Sequence, residues 1–304
     1  MRWREGLKDT LERALVSSRV SDAARLTRRD GVLILAYHNI VPSGADIAGD
    51  RSLHLPEALF AAQLDSLQAT HDVVPLDALL DGNGARGRRP RAAITFDDAY
   101  RGAVTTGLRE IVARSLPATV FVAPAFIGGR FFWWDVVTQP GSPGPSDALR
   151  TFALEECRGR HDTVIQWAEE SGHRLSTPPA HAACASEHEL RVASKQPGIT
   201  LASHTWSHPN LARLRPTELE EELTRPLEWL GARFDNVVPA LSYPYGLASP
   251  TVERAAERAG YRAAFLVSGG WVPRRSRNLL ALPRLNVPAG LSPNGFVLRT
   301  AGVL

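Results

Sequence analysis

The sequence predicts a mainly parallel α/β fold, and three observations lead to that prediction. Short apolar runs recur along the chain between turn residues, as expected of strands buried on both faces. Helical patterns, some with capping residues, lie between these runs. The 304 residues are 44% hydrophobic and 22% charged, which is ordinary for a soluble globular protein. The seven runs that we interpret as strands begin near residues 32, 92, 118, 199, 237, 262 and 280.

Residues 1–30 are predicted to form an N-terminal helical segment ahead of an α/β domain at 31–304. Leu7, Leu11 and Leu15 share one helical face, and basic residues surround that face. One interpretation is a helix that packs on the domain through these leucines. The other is an amphipathic helix that makes a weak contact with an anionic membrane surface.

The first strand of the domain is the apolar run of residues 32–36, which leads into Tyr37-His38-Asn39. Polar residues at the exit of a buried strand stand where α/β folds place their chemistry. His38 is therefore a candidate site residue. A hydrogen-bonded core histidine is the alternative, and the two stay equally open.

Helices are predicted between the strands. Residues 56–69 have an apolar face, and residues 100–116 form a second helical stretch. Later helices are predicted to begin at Thr217 and Ser249, where capping residues stand, and the second of these ends at Gly260. This alternation of strands and helices indicates parallel strands joined by helical crossovers.

The strand from Arg91 ends in two adjacent carboxylates, Asp97 and Asp98. Successive side chains of a strand point to opposite faces, but where the backbone turns at its end both can reach one pocket. Two carboxylates in one pocket repel each other unless a cation takes one of them. The pair therefore indicates a cation site at this strand end.

The strand at 199–202 is followed by His204 and His208. A four-residue spacing can aim two imidazoles at one point if the chain turns there, and Pro209 favours a turn that ends at His208. Alone, the pair is equally consistent with a turn cap and a solvated imidazole. Two histidines and one carboxylate make a common hydrolytic metal site, which leaves the second carboxylate free to act as a general base.

Three motifs occur in the order Thr95-Phe96-Asp97-Asp98, Ser203-His204-Thr205-Trp206-Ser207-His208 and Tyr243-Pro244-Tyr245-Gly246. Together they resemble the polysaccharide deacetylases with a NodB-type domain, carbohydrate esterase family 4. The resemblance covers about residues 31–290. It implies a distorted, incomplete (β/α) barrel of about seven mainly parallel strands and metal-dependent removal of an N-acyl group from a sugar. It also implies that Asp97 is the base and that Asp98, His204 and His208 are the metal ligands.

The sequence departs from the family pattern at two places. Many members have an arginine where this chain has Ser242, and a late histidine that residues 282–287 lack. Arg284, near the end of the last predicted strand, is the candidate to hold Asp97, with a structural salt bridge elsewhere as the alternative. His38 is the candidate for the general acid, because many NodB-like sequences carry Tyr-His at this place.

Substrate contacts are expected from the third motif and from a long insertion. Pro244 and Tyr245 are the candidates in the motif, with the Tyr245 N–H as an oxyanion donor. Residues 128–197 interrupt the strand–helix alternation, and a long insertion beside an active edge is usually a lid or specificity element. We expect Trp133 to root the insertion and Trp134 to stack on a sugar ring. Deletion of the insertion is expected to leave the barrel foldable.

The donor set predicts a divalent metal cofactor, zinc first, with cobalt, iron and manganese as alternatives. A net charge of +3 and a pI of 9.1 give no argument for nucleic acid as a partner. Arginine-rich loops near 86–91 and 274–277 are interpreted as solvated, or as contacts to the phosphate of a lipid-linked or nucleotide-linked sugar. The sequence lacks a membrane span and a signal-peptide core, so we expect a cytoplasmic protein, at most peripheral to the membrane.

Three hypotheses about function remain. The first is removal of an acetyl group, or a formyl group, from an amino sugar of a glycan or glycan precursor. The second keeps the metal site but takes a non-sugar amide such as a cyclic imide or ureide, because fold does not fix substrate. The third is a non-catalytic glycan-binding protein, and the complete set of Asp97, Asp98, His204 and His208 argues against it.

Overall fold

The structure is a computed structural model, and it describes residues 2–28, 30–80, 89–272 and 278–304. Its strands are β1 Val32–Tyr37, β2 Asn39–Val41, β3 His54–Pro56, β4 Asp72–Val73, β5 Arg91–Phe96, β6 Ala118–Val122, β7 Ile199–Ser203, β8 Val237–Ser242, β9 Ala263–Gly269, β10 Trp271–Val272 and β11 Leu282–Asn286. Its α-helices are α1 Arg2–Ser17, α2 Val20–Thr27, α3 Glu57–Thr70, α4 Leu76–Leu80, α5 Leu108–Ala113, α6 Trp133–Val136, α7 Asp147–Glu155, α8 His161–Glu170, α9 Glu187–Ser194, α10 Pro216–Gly231, α11 Pro250–Arg258 and α12 Pro293–Ala301.

Seven strands close into a barrel. Their order around the barrel is β1, β5, β6, β7, β8, β9 and β11, and β11 pairs again with β1. Every neighbouring pair in this circle is parallel. The predicted fold class is confirmed, and the seven predicted strands are the seven barrel strands.

The barrel interior changes from apolar to polar along its axis. One buried cluster inside the barrel contains Ile34, Ala93, Phe121, Ala202, Ala240, Phe265 and Leu282. Because side chains alternate along a strand, residues two or four positions further on point the same way. These positions lie at the carboxyl ends of the strands and are occupied by His38, Asp97, His204, Ser242 and Arg284.

Helices cover the outer faces of the strands. Leu35 of β1 and Ile94 of β5 belong to a second buried cluster together with Phe60 of α3 and Ile111 of α5. Burying each such side chain contributes about 1.5–3 kcal/mol. This packing holds the strand ends, and the polar residues on them, in fixed positions.

Two of the later helices begin close to the predicted places. α11 begins after Ser249, whose side chain accepts a hydrogen bond from the backbone N–H of Val252. α10 begins at Pro216 with Arg215 at its N-cap, so Thr217 is not the cap. The proline at the first helical position explains the shift, since its fixed φ suits a helix start.

Residues 2–27 form two helices, as predicted, but the leucine face is not the buried one. α1 and α2 pack against α12. Leu7 and Leu11 are 62% and 59% exposed, whereas Glu12 is buried and accepts a hydrogen bond from Ser292. Helical periodicity identified the element correctly, but it could not show which face α12 would cover.

The structure leaves two features of the sequence untested. Residues 81–88 and 273–277, which hold Arg86, Arg88 and the second arginine-rich loop, lie outside the described residues. Within the described residues, no helix is both long and apolar enough to cross a membrane.

Residues 128–197 lie between β6 and β7 and contain α6, α7, α8 and α9. Trp133, Trp134 and Arg150 of this segment line the same pocket as Asp97. The insertion thus lies beside the carboxyl ends of the barrel strands, and irregular segments join its four α-helices.

Candidate active site

One pocket at the carboxyl ends of the strands contains most of the predicted site residues. Its lining includes His38 after β1, Asp97 and Asp98 after β5, and His204 and His208 after β7. The two aspartates and the two histidines are at most 4% exposed. In so buried a place, charges interact strongly and little water screens them.

Arg284 and Asp97 form a bidentate ion pair inside the barrel. Arg284 Nη1 donates to Asp97 Oδ1 at 2.8 Å, and Nη2 donates to Oδ2 at 2.6 Å. Ser242 Oγ accepts from Nη2 at 2.8 Å and donates to Asp97 Oδ2 at 3.0 Å. The guanidinium also donates to Thr95 Oγ1 and to the carbonyl oxygen of Leu266. Arg284 thus brings a cation to Asp97, and Ser242 adds its hydroxyl to the same carboxylate.

This pair sets the charge of Asp97. Burial alone raises the pKa of a carboxyl group, but the charges of Arg284 and His204 outweigh burial and hold the pKa of Asp97 well below its usual range. The guanidinium of Arg284 lies 5.4 Å and 5.9 Å from the ring centres of Phe121 and Phe265, which adds a cation–π attraction. Asp97 is therefore ionised at neutral pH, with both oxygens held in place.

Asp98 reaches the pocket because the backbone reverses after β5. Asp98 and Ala99 have φ values of 70° and 49°, a left-handed conformation that costs about 1–2 kcal/mol for a non-glycine residue. Thr205, His208 and Tyr245 share it, so five of the eight non-glycine residues with positive φ in the described chain surround this pocket. Such strain clusters at functional sites, where the surrounding structure holds it.

Asp98, His204 and His208 fit a divalent metal ion. Their ligand atoms all lie within 4.8 Å of one another. Asp98 Oδ1 is 3.4 Å from His204 Nε2 and 3.3 Å from His208 Nε2. This oxygen is buried and has no well-aligned hydrogen bond to the described residues, which is unfavourable unless a cation satisfies it. One carboxylate and two imidazoles are a donor set that zinc and similar ions prefer.

The surroundings of His204 and His208 shift the pKa values of the two imidazoles in opposite directions. His204 Nδ1 lies 2.7 Å from the carbonyl oxygen of Ser242; because a carbonyl only accepts, Nδ1 carries the hydrogen and Nε2 faces Asp98. Burial lowers the pKa of His204, but the charges of Asp97 and Asp98 outweigh it and raise the pKa overall. Burial, with the charge of His204, lowers the pKa of His208 to about 3. A proton on His204 competes with a metal ion, so metal binding is expected to weaken at low pH.

Glu222 of α10 holds the turn between the two histidines, and no sequence motif marked it. Its carboxylate accepts from the backbone N–H of Ser207 at 2.8 Å and from Ser207 Oγ at 2.5 Å. Burial raises the pKa of Glu222, although these donors oppose the rise. Arg225 of the same helix stacks over Trp206 at 3.6 Å. Only the packing of α10 against this turn reveals the role of Glu222.

The ends of β1 and β11 add two polar groups to the pocket. His38 is half-buried, and burial lowers its pKa despite the nearby charges of Asp98 and Asp97. Asn286 also lines the pocket, and its Oδ1 is buried without a hydrogen-bond partner among the described residues.

In the third motif, Tyr245 lines the pocket but Pro244 does not. Tyr245 OH accepts from Trp133 Nε1 at 3.0 Å and donates to a backbone carbonyl of the insertion at 3.0 Å. Gly246 has a φ of 68°, and a Cβ there would lie 2.5 Å from Val267 Cγ1, so only glycine fits. Pro244 is buried in this turn and is absent from the pocket lining, so a substrate contact through Pro244 stays a prediction.

The structure does not separate the roles of Trp133 and Trp134 as the sequence suggested. They are 2% and 4% exposed, and both line the pocket. Phe132 stacks on Trp134 at 4.4 Å with the ring planes 6° apart, which covers one face of the indole. The Trp134 ring lies 5.1 Å from His208. Trp134 is thus a wall beside the ligand set and has no open stacking face.

Asp135 joins the insertion to the barrel through a buried network that sequence analysis missed. It accepts from Tyr100 OH at 2.8 Å, from His54 Nε2 at 2.9 Å and from the backbone N–H of Asp50 at 2.9 Å. Trp134 Nε1 donates to Tyr100 OH at 2.8 Å. Buried hydrogen bonds of this kind make a structure rigid, and here they fix the position of Trp134 beside the site.

Comparison with known proteins identifies relatives of one kind. The family model described as polysaccharide deacetylase matches residues 84–264 of this chain. Over 101 residues the chain is 30% identical to YxkH of Bacillus subtilis (strain 168), a protein assigned to the polysaccharide deacetylases. That match covers 33% of this chain and 36% of YxkH, so the two share about a third of their length.

Solved structures share the fold over most of the chain. The Streptococcus pyogenes deacetylase PplD in complex with acetate matches with a TM-score of 0.62 at 18% identity, over 89% of this chain and 98% of that chain. A polysaccharide deacetylase from Bacillus cereus matches with a TM-score of 0.63 at 17% identity, over 89% of this chain and 69% of that chain. IcaB from Ammonifex degensii matches with a TM-score of 0.57 at 17% identity, over 89% of this chain and 97% of that chain. At these identities the similarity establishes a common fold.

Proposed function

This chain belongs to the polysaccharide deacetylase family, and on that basis we propose that it is a metal-dependent hydrolase. It removes an N-acyl group, acetyl in the first place, from an amino sugar of a glycan or glycan precursor. One observation carries the proposal: Asp97, held by Arg284, shares a buried pocket with the Asp98, His204 and His208 ligand set. A base beside a three-ligand metal site is the combination that hydrolysis of an amide needs.

Asp98, His204 and His208 would hold the divalent ion, which we propose to be zinc. When bound, such an ion supplies Lewis-acid chemistry, since it polarises the acyl carbonyl and lowers the pKa of a water molecule. Ser242 fixes the tautomer of His204, and Glu222 fixes the turn that carries His208. Such supporting contacts tune affinity and position the ligands.

Asp97 acts as the general base. Arg284 and Ser242 fix its two oxygens, so the carboxylate is oriented before the substrate arrives. The lowered pKa of Asp97 keeps it ionised, although it also makes the carboxylate a weak base that needs an acidic water as its partner. A positioned base contributes roughly 10²–10⁴-fold to the rate.

His38 returns the proton to the leaving amine. It lines the same pocket, and burial, which lowers its pKa, leaves it neutral in the resting site. It can therefore accept the proton that Asp97 takes from the water and donate a proton to the amine as the C–N bond breaks. The backbone N–H of Tyr245 is our candidate for a second donor to the developing oxyanion. His38 thus takes the place of the late histidine that this chain lacks.

The shape and chemistry of the pocket favour a sugar. Trp133, Trp134 and Tyr245 form an aromatic wall, and Asn286 Oδ1 offers an acceptor without a partner in the described chain. Mostly apolar walls with a few polar groups are typical of small-molecule sites. The aromatic edges can contact the apolar face of a ring while Asn286 accepts from a hydroxyl.

Release of acetate from N-acetylglucosamine and its oligomers tests this function directly. The purified protein is freed of metal with a chelator, reloaded with Zn²⁺ and assayed, and hydantoin and other ureides serve as the competing substrate class. We expect acetate release only from the metal-loaded protein and only from the sugars. Turnover of ureides alone would overturn the sugar assignment, and sugar binding without any turnover would favour a glycan-binding protein.

A further inference from the structure

Arg150, from the first turns of α7, forms part of the pocket wall although no family motif contains it. Its side chain is 38% exposed. Arg150 Nη2 donates to Asp50 Oδ2 at 2.5 Å, and this is its one side-chain hydrogen bond to a described residue that the structure shows. A guanidinium has five N–H donors, so most of its donors are free to face a ligand.

Asp50, the partner of Arg150, also lines the pocket, but its carboxylate oxygens already accept hydrogen bonds. It is 1% exposed, and its Oδ1 accepts from Ser52 Oγ at 2.8 Å and from Ser52 N–H at 3.3 Å. Because both of its oxygens already accept hydrogen bonds and little of it is exposed, Asp50 is a poor acceptor for a sugar hydroxyl. Arg150 supplies the hydrogen-bond donors of this part of the pocket wall.

The loop that carries Asp50 is joined to the insertion that carries Arg150. The Asp50 backbone N–H donates to Asp135, and the Arg51 N–H donates to the Pro143 carbonyl at 2.9 Å, so the loop and the insertion are joined around the ion pair. The ion pair with Asp50 limits the rotamers that Arg150 adopts before binding, which lowers the entropic cost of recognition. Planar guanidinium groups match the oxygens of phosphates and carboxylates in pairs.

The charges of the pocket agree with an anionic ligand. Arg150 balances Asp50, and Arg284 balances Asp97. Only Asp98 is then left, and a divalent ion on the ligand set more than offsets it. With a divalent ion bound, these charges sum to no net negative charge, so an anion beside Arg150 would not be repelled.

From these observations we propose that Arg150 is a subsite for an anionic group, a phosphate or a carboxylate, that the substrate carries beside its N-acyl sugar. The proposal rests on the proposed deacetylase function and narrows its substrate to acidic amino sugars. Arg150 acts in binding, and the reaction at the N-acyl group is unchanged.

Three substrates with the same N-acetylated ring but different charge test the subsite: the neutral methyl glycoside of N-acetylglucosamine, N-acetylglucosamine 1-phosphate and N-acetylmuramic acid. We expect wild-type kcat/KM to favour one of the two anions over the glycoside by roughly ten- to a hundredfold, the range of one charged hydrogen bond. Arg150→Gln should remove this preference through KM, and Arg150→Lys should keep part of it. Arg191→Gln, in the same insertion but outside the pocket lining, is the matched control and should keep the full preference.

Arg150→Gln leaves Asp50 buried without its cation and can fail to fold. The double variant Asp50→Asn/Arg150→Gln removes both charges and gives the same comparison. Equal kcat/KM for all three substrates in the wild type, or a preference that survives in the folded double variant, would overturn the subsite and leave the deacetylase function standing. Calorimetric titration with the same compounds needs no turnover, so Arg150-dependent binding without hydrolysis would instead overturn the proposed reaction.

Discussion

Arg284 holds Asp97 through two parallel hydrogen bonds, although the two residues are 187 positions apart in the sequence. Both side chains are almost completely buried. The pair explains how a carboxylate next to Asp98 stays ionised. Arg284 supplies the cation beside Asp97 that the family pattern would place at position 242, where this chain has Ser242.

Arg284→Met should raise the acid-limb pKa of kcat/KM and lower the rate. The guanidinium holds the pKa of Asp97 below its usual range, so without it Asp97 is protonated at a higher pH. A pH–rate profile with the metal content measured in parallel checks this. Arg284→Lys, which keeps the charge but loses the planar fork, is the control and should shift the limb less. A profile that Arg284→Met leaves unmoved would remove this pair from the catalytic account.

The same pair makes a pH-dependent contribution to stability. The folded-state pKa of Asp97 lies below the ordinary value of 3.8. The contribution is therefore complete above about pH 4 and is lost as pH falls through the folded-state pKa. At neutral pH, Arg284→Met should lose about 3–5 kcal/mol, because it leaves a buried charge unpaired. In urea unfolding, the difference in free energy of unfolding between wild type and Arg284→Met should be smaller at pH 3 than at pH 7. A difference that grows on acidification would contradict the assignment.

Glu222→Gln should weaken metal affinity and activity together by roughly 10–100-fold, as loss of a contact behind the ligands usually does. The carboxylate accepts from both the N–H and the hydroxyl of Ser207, and an amide cannot accept as strongly at both. The neighbouring Glu221 is exposed, so Glu221→Gln is the matched control. Metal titration and kcat on both variants decide the matter, and equal behaviour of the two would show that the turn does not depend on Glu222.

Asp135→Ala should destabilise the whole fold. Three buried donors, from Tyr100, His54 and the Asp50 backbone, lose their acceptor, and each unsatisfied group costs about 1–3 kcal/mol. Asp162, also in the insertion, forms an exposed ion pair with Arg130, so Asp162→Ala should cost at most about 1 kcal/mol. Denaturant unfolding of both variants gives the comparison, and similar midpoints would speak against a structural role for the network.

The Asp135 network also changes the expectation that residues 128–197 can be deleted. Phe132, Trp133 and Trp134 belong to the same buried cluster as the outer faces of the barrel strands. Removing the insertion would expose that cluster to water, so the deleted barrel should not fold stably. Point variants in the pocket wall are therefore the better way to study substrate preference.

The parts of this account that the sequence predicted are local. Apolar runs identified all seven barrel strands, because a strand buried on both faces leaves a continuous pattern. Strand ends and motif spacing identified Asp97, Asp98, His204 and His208. Arg284 was identified because the end of the last strand had to meet the same edge of the barrel.

The parts that the sequence did not predict depend on how distant segments pack. Glu222 and Asp135 act through helices whose path the pattern does not specify, and neither stands in a motif. Arg150 lies in an insertion with no counterpart in the motifs. On α1, one of the two interpretations had Leu7 packed on the domain, but α12 covers the Glu12 side instead.

We propose that Asp98 and the two histidines bind a metal ion and that Asp97 is the general base outside the ligand set. Titration of the metal-free protein with Zn²⁺ tests it most directly, in the wild type, in Asp98→Asn and in Asp97→Asn, with kcat measured on the same samples. We expect one equivalent of Zn²⁺ bound in the wild type, much weaker binding in Asp98→Asn, and near wild-type binding with a roughly 10²–10⁴-fold lower kcat in Asp97→Asn. Full Zn²⁺ affinity in Asp98→Asn, or equal loss of binding in both variants, would contradict it.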